Sequence, residues 1–316
     1  MPDTRTNHSC THLASAQPPI APFSRAIVLG SGRIACDCIQ ELASTGLPVL
    51  AIQNDNSAFS LLRRAANRPN CSWQKITDHG SLNDFFVNIR QSTLVVSANN
   101  AWIIPPDVLA NPALRFINYH NSLLPRHRGR NAPTWAIFSG DQNAGATWHL
   151  LDSGIDTGPI LAQTPVPVSP HTTALQLVAH CMQAAAELFR QFLPNILRWS
   201  LNLTHQSRAL TEYHSSRDVP ADGLLDPNWT FPQISRLLRA LDYGPLHILP
   251  KPRLLEQQLS PGQCPVIARY SIQNSSQPQP AADLAGCITR VISRPDADIV
   301  LWLRPAPAEQ SSNRLR

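Results

Sequence analysis

The sequence predicts an α/β chain in which an open sheet flanked by helices is followed by a small β-rich domain. Three observations carry that expectation. From Arg25, the run RAIVLGSGRIACDCIQELASTGLPVLAIQND reads as strand, glycine turn, helix and strand, a βαβ unit. Short apolar runs then alternate with segments of helical periodicity as far as Trp199. Beyond Ala221, one amphipathic helix precedes short strand candidates separated by proline, asparagine and glutamine. The implied division is a disordered arm at 1–23, a first domain at 24–200, a linker at 201–221, a β domain at 222–305 and a disordered tail at 306–316.

Taken in order, Ala26 to Leu29 is a short buried strand, Ile34 to Ala43 has helical spacing and Leu47 to Ile52 is apolar again. Ser60 to Asn67 and Leu82 to Ile89 can form helices, and Thr93 to Ala98 is the next buried strand. Leu114 to Tyr119 follows as a strand whose C-terminal end delivers the polar stretch Asn118 to Leu161, and in open α/β sheets ligands sit at that end. Ala132 to Ser139 reads as a helix, Ala146 to Leu151 as a strand, and Ile160 to Val168 as an edge strand marked by Pro165 and Pro167. Thr173 to Trp199 reads as one long helix, with a possible break at Pro194. In the second domain, Phe231 to Leu241 is an amphipathic helix with Pro232 in its first turn. Leu246 to Leu249, Pro265 to Ile272, Ala285 to Ser293 and Asp298 to Leu303 are the strand candidates.

Composition narrows the function classes. With 43% hydrophobic residues in 316, the chain can bury a sizeable core, and two domains fit its length. No apolar run reaches the roughly 18 to 20 residues of a membrane span, and no secretory h-region precedes Ser24, so a cytoplasmic protein is expected. Cys10, Cys36, Cys38, Cys71, Cys181, Cys264 and Cys287 contain no CxxC pair, so neither a disulfide framework nor a metal site is expected. The net charge of +5 rests on scattered arginines without a dense basic patch, which argues against a large nucleic-acid footprint.

Asn118 and His120 are two apart on a strand and so share a face, where an amide and an imidazole could stabilise one developing oxyanion. The loop Asp156-Thr157-Gly158 presents a carboxylate that could take a proton from an attacking amine and orient the imidazole. No nucleophile elbow of the GxSxG kind occurs, which favours direct transfer without a covalent intermediate. Each residue alone has an ordinary reading, a structural histidine or turn chemistry, and only the combination is specific.

The pattern NYHNSLLPRHRG followed by DSGIDTGPIL resembles the 10-formyltetrahydrofolate-dependent formyltransferases, which include methionyl-tRNA, glycinamide ribonucleotide and amino-sugar enzymes. The resemblance implies a Rossmann-like catalytic domain with a C-terminal open β-barrel, OB-like in form. It implies 10-formyltetrahydrofolate as formyl donor and Asn118, His120 and Asp156, rather than Asp152, as the catalytic triad. Ser97, Ala98, Asn99, Asn100, Ala101, Trp102 and Ile103 are similar to the segment that holds the pterin ring, with Leu151 and Asp152 beside it. Ser122, Leu123, Leu124, Pro125 and Gly129 match the family's following loop, and Ser122, Leu123, Leu124 and Arg128 are expected on the acceptor side. The pieces RNAPTW and TWHLL depart from the tRNA enzymes and look more like formyltransferases of specialised metabolism, including those attached to peptide-synthesis assembly lines. A small or carrier-tethered amine is therefore the expected acceptor, and a tRNA is not.

Three rival readings accompany this one, the last of them a non-enzymatic binding module, against which the intact triad speaks. Gly30-Ser31-Gly32-Arg33-Ile34-Ala35 fits a GxGxxA dinucleotide fingerprint of an NAD-dependent oxidoreductase, with Asp55 beyond the second strand. That reading leaves the Asn118 to Asp156 constellation idle, so Gly30, Ser31, Gly32 and Arg33 are assigned to acceptor anchoring at a helix N-terminus. The second rival is formyltetrahydrofolate hydrolysis by the same triad. His149 reads either as a supporting residue of the site or as a histidine bonded to loop backbone. Arg126, His127, Arg128 and Arg130 read either as a solvated loop or as recognition of an anionic group.

Overall fold

A computed structural model describes residues 23–55, 60–207, 212–256, 259–273 and 286–306. Its first domain is built from β1 (Arg25–Gly30), α1 (Gly32–Ser44), β2 (Val49–Gln53), α2 (Leu61–Ala65), β3 (Cys71–Lys75), α3 (His79–Val87), β4 (Thr93–Ala98), α4 (Pro106–Leu109), β5 (Leu114–His120), β6 (Arg128–Gly129), α5 (Ala132–Ser139), β7 (Asn143–Leu150), β8 (Ile160–Pro167) and α6 (Ala174–Leu197). Then come β9 (Tyr213–His214), β10 (Leu224–Leu225), α7 (Phe231–Ala240), β11 (Arg253–Leu254), β12 (Val266–Gln273), β13 (Ile288–Ser293) and β14 (Asp298–Arg304).

The main sheet has the order β3-β2-β1-β4-β5-β7-β8. β1 to β5 are parallel, and β7 and β8 run antiparallel. All six residues of β4 are buried, as a strand covered on both faces requires. One face packs α1 and α6 through Ile34, Ile39, Leu188 and Phe189; the other packs Leu82, Phe86 and Val108 from α3 and α4.

The expected strands at Ala26, Thr93 and Leu114 and the helix at Ala132 to Ser139 are present. α6 continues through Pro194 to Leu197, so the possible break does not occur there; the proline lies in the last turn, with only three helical residues after it. β3 was not anticipated. As an edge strand with every residue at least partly exposed, CSWQK carries no apolar alternation to betray it. Leu246 to Leu249 forms no strand; Leu246 N–H closes a turn onto the Tyr243 carbonyl at 3.0 Å, and Leu246 and Ile248 are exposed.

Phe23, assigned by sequence to the arm, is buried with its ring edge-on to Trp199 at 5.6 Å; residues 1–22 and 307–316 lie outside the described residues. The segment expected as a linker is partly built into the first domain. Thr204 bridges Ile160, and β9 pairs in parallel with β6. A five-stranded sheet in the order β10-β11-β12-β14-β13 forms the C-terminal unit, packed on α7 through Ile234, Leu237 and Leu238.

α7 sits against α5, and the contact is polar as well as apolar. Buried Thr134 Oγ1 is 2.9 Å from the Ala240 carbonyl, to which it donates, and 2.8 Å from the Tyr243 hydroxyl. Thr134→Val keeps the volume and removes both partners, so it is expected to cost about 1–3 kcal/mol. A shift in the denaturant midpoint would register this, and an unchanged midpoint would refute it.

Candidate active site where β4, β5 and β7 meet

Strand register assembles the first part of the site. Ser97 on β4 aligns with Asn118 on β5, which aligns with His149 on β7. Residues aligned on neighbouring strands project to the same side, so three polar side chains form one row. Ser97 Oγ donates to Asn118 Oδ1 at 2.6 Å, and Asn118 Nδ2 lies 3.1 Å from His149 Nε2. His149 Nδ1 is 2.8 Å from the Leu150 carbonyl, which can only accept, so Nδ1 carries the proton and Nε2 accepts from Asn118. The amide is thereby held at both ends, with one Nδ2 hydrogen left over.

His120, two residues along β5, is buried. Its Nε2 donates to the His127 carbonyl at 2.9 Å, and its Nδ1 lies 3.4 Å from Asp156 Oδ2. Asp156 sits between the two imidazoles: Oδ1 is 3.5 Å from His149 Nε2, and Oδ2 accepts the Gly129 N–H at 2.9 Å. It reaches them from a loop position with φ of 53°, a left-handed conformation that aspartate tolerates better than most residues. Gln206 holds this loop, donating to the Asp156 carbonyl at 2.9 Å and the Gly158 carbonyl at 2.7 Å.

Burial alone would raise the Asp156 carboxyl, but the His120 and His149 rings and the Gly129 N–H outweigh it and hold the group well below the ordinary carboxylate range. Burial pushes the His120 imidazole down from its ordinary value, against the opposing pull of Asp156 and the His127 carbonyl. At neutral pH the pair therefore rests as a carboxylate and a neutral ring. Both ring nitrogens face oxygen, so an imidazolium formed there would find an acceptor on each side.

Geometry separates the two candidate carboxylates. Asp152 is exposed, and its Oδ1 accepts from Gly154 N–H at 3.1 Å and Thr157 Oγ1 at 2.6 Å, which makes it a turn residue. Only Asp156 faces the histidines.

Other residues singled out from the sequence have varied placements. Ser97 and Ala98 are buried, Asn99 donates towards Ser31, and Asn100 brackets the Trp102 backbone. Trp102 stacks on His79 at 4.3 Å, Ala101 offers its carbonyl to Arg130, Ile103 is 73% exposed and Leu151 packs against the α3 side of the sheet. Gly30 is needed for packing, since a Cβ there would meet the Ala98 carbonyl oxygen at 1.9 Å. Arg33 pairs with Asp37 at 2.7 Å, and α1 starts at Gly32 with no side-chain cap from Ser31.

The acceptor-loop residues are largely spent on the fold. Ser122 Oγ donates to the Arg126 carbonyl, Leu123 packs over Gly145, and the Leu124 carbonyl accepts from Gln163. Arg128 is buried on Gln206 Oε1 at 2.8 Å, and Arg126 pairs with Asp141 at 2.7 Å. Gln206 was missed entirely, because nothing in its sequence surroundings marks it. His149 was legible only as a possibility. Pairing β7 antiparallel to β5 in register would have placed it opposite Asn118.

The chain is similar to known formyltransferases. The Formyl transferase family model matches residues 25–193, more than half of the chain. GDP-perosamine N-formyltransferase of Brucella melitensis biotype 1 is 27% identical over 236 residues, covering 72% of this chain and 88% of that protein. A methionyl-tRNA formyltransferase of Synechococcus sp. is 40% identical over 111 residues, only 35% of this chain and 34% of that enzyme. Among solved structures, the sugar 3N-formyl transferase WlaRD, crystallised with dTDP and 5-N-formyl-THF, superposes with a TM-score of 0.68 at 20% identity, covering 90% of this chain and 98% of that one.

The His120 environment makes a prediction that needs no assay. In a carbon-detected NMR titration its ring should titrate below 6.5, and further below in Asp156→Asn, because the carboxylate is what opposes burial. A midpoint above 6.5, or a rise in the variant, would contradict the assignment.

Proposed function

The chain belongs to the formyl transferase family, and on that premise we propose that it formylates the amine of a nucleotide-linked amino sugar, with Asn118, His120 and Asp156 as the catalytic residues. The donor is 10-formyltetrahydrofolate. The observation that carries the catalytic assignment is Asp156 lying between His120 and His149, with Asn118 in hydrogen-bond reach of the latter. The sugar acceptor rests on the GDP-perosamine enzyme, whose similarity extends over most of both chains, whereas the match to the tRNA enzyme is confined to a third of each.

In this reading the amine lone pair attacks the formyl carbon, forming a C–N bond and a tetrahedral oxyanion. The remaining Asn118 Nδ2 hydrogen stabilises that oxygen, and His120 Nε2–H, redirected from the His127 carbonyl, is the second donor. The ammonium proton passes through Asp156, directly or by way of water. Asp156 is too weak a base to keep it, so it relays the proton, directly or by way of His120, to N10 of the folate as the leaving nitrogen. Collapse breaks the C–N10 bond and releases tetrahydrofolate and the formamide.

Ser97 to Ile103, Leu151 and Asp152 are assigned to the folate side. The uncapped N-terminus of α1, with Gly30, Ser31, Gly32 and Arg33, is assigned to an anionic part of the acceptor. Ser122, Leu123, Leu124 and Arg128 shape the acceptor side by fixing its loop. A carrier-tethered amine is the second acceptor class to include in the test. The C-terminal sheet is read as the OB-like barrel of the family, in a cytoplasmic enzyme; among the described residues no helix is long and apolar enough to cross a membrane.

Release of tetrahydrofolate, followed against a panel of sugar-nucleotide and carrier-bound amines with a no-amine control, tests the acceptor. Amine-independent release would mean hydrolysis instead. Asn118→Ala, His120→Ala and Asp156→Ala should each lose roughly 100 to 1000-fold in kcat while remaining folded. Asp152→Asn should stay within a few-fold of wild type; equal losses at the two aspartates would sink the choice of Asp156.

A further inference from the structure

A second cluster of chemistry-bearing side chains lies beyond the triad. The loop after β5 and the segment around β9 bring His127, Glu212 and His214 together, with one ligand-type atom of each inside a span of 4.8 Å. His127 Nδ1 is 3.1 Å from His214 Nε2 and 3.1 Å from Glu212 Oε2. On its other side, His127 Nε2 lies 3.0 Å from Asp141 Oδ2. A carboxylate accepts there, so the ring proton belongs on Nε2 and a lone pair is left on Nδ1. With the His214 proton on its Nδ1, two electron-pair donors face that lone pair, an arrangement that a cation would satisfy; with it on Nε2, His214 donates to His127 instead.

The surroundings hold the donors in place. Asp141 is itself fixed by Arg126 at 2.7 Å. A carboxylate behind a histidine, setting its tautomer and orientation, is a recurring support for histidine metal ligands. The His214 ring stacks on Trp135 with centroids 4.1 Å apart and planes 5° from parallel. Backbone pairing completes the frame, with Arg128 N–H on the Glu212 carbonyl at 3.0 Å and Arg130 N–H on the His214 carbonyl at 2.8 Å. Gly129 permits that approach: a Cβ there would meet the His214 carbonyl oxygen at 2.2 Å.

We propose that His127 Nδ1, Glu212 Oε2 and His214 Nε2 form a site for a divalent transition metal, zinc in the first instance. Two imidazoles and one carboxylate match zinc, whereas magnesium and calcium favour all-oxygen sets. His127 is buried and the Glu212 side chain is 56% exposed, so the outward coordination position is open to solvent. The metal clamps the segment around β9 onto the loop whose His127 carbonyl receives His120 Nε2, joining two parts of the chain that make one wall of the active site. The alternative occupant is a proton on Nδ1, shared among the same atoms.

The test uses the full-length protein without a histidine tag, stripped with a chelator and titrated with zinc chloride in a calorimeter, with magnesium chloride in parallel. One zinc per chain should bind saturably and raise the thermal midpoint, and magnesium should do neither. Glu212→Gln, a surface change whose fold circular dichroism can verify, and His214→Ala should each weaken zinc by at least about 10-fold, and Asp141→Asn by roughly 10 to 100-fold. Cobalt should give tetrahedral d–d absorption in wild type that is lost in His214→Ala. Absence of saturable zinc binding, or binding undiminished in both Glu212→Gln and His214→Ala, overturns the proposal and leaves the proton as the occupant.

Discussion

The site depends on the alignment of Ser97, Asn118 and His149 across three adjoining strands. A primary amide can rotate and exchange its donor and acceptor ends, and either would fit a solvated position. Here a hydroxyl donor at one end and a bare imidazole nitrogen at the other leave one satisfied orientation. On the proposed reading, that orientation aims an N–H, rather than a carbonyl oxygen, at the reacting group. Preorganisation of this kind is effective because the dipole needs no reorientation when charge develops.

The turn of sheet direction at β7 makes the alignment possible. β5 and β7 are antiparallel and offset, so that their C-terminal halves overlap, His149 falls opposite Asn118, and the loop leaving β7 after Leu150 starts opposite Ile117. Asp156 needs only that short loop to arrive between the two imidazoles. Its carboxylate is costly to bury, and the Gly129 N–H offsets part of that cost. Gln206, outside the family match at 25–193, finishes the job by pinning the loop backbone from the opposite side. The stretch between the domains thus serves the active site as well as joining two units.

Much of this was legible in one dimension. Apolar runs too short for helices had to become buried strands, and the two-residue spacing of Asn118 and His120 forced them to one face wherever the strand ran. The glycine and aspartate pattern after β7 marked a loop with polar work to do. The choice of Asp156 over Asp152 came from the family resemblance and not from the local pattern, because both are followed closely by glycine. In the structure Asp152 spends its oxygen on Gly154 and Thr157, whereas Asp156 reaches Gly129, 27 residues away. The basic loop was ambiguous for the same reason. Arg126, Arg128 and Arg130 reach Asp141, Gln206 and the Ala101 carbonyl, and these partners lie 15, 78 and 29 residues away in sequence.

By itself, then, the sequence determined the α/β class, the family resemblance and the strand that carries Asn118 and His120, because those follow from local periodicity and from a motif with a short span. Tertiary structure alone decided how the polar groups are shared out. A hydrogen bond is satisfied by whichever partner the fold brings within about 3 Å, and residues as distant as Ser97, His149, Gln206 and His214 meet only after the sheet has formed. Their sequence surroundings carry no trace of that meeting, since the free energy that holds them together comes from burial elsewhere in the chain.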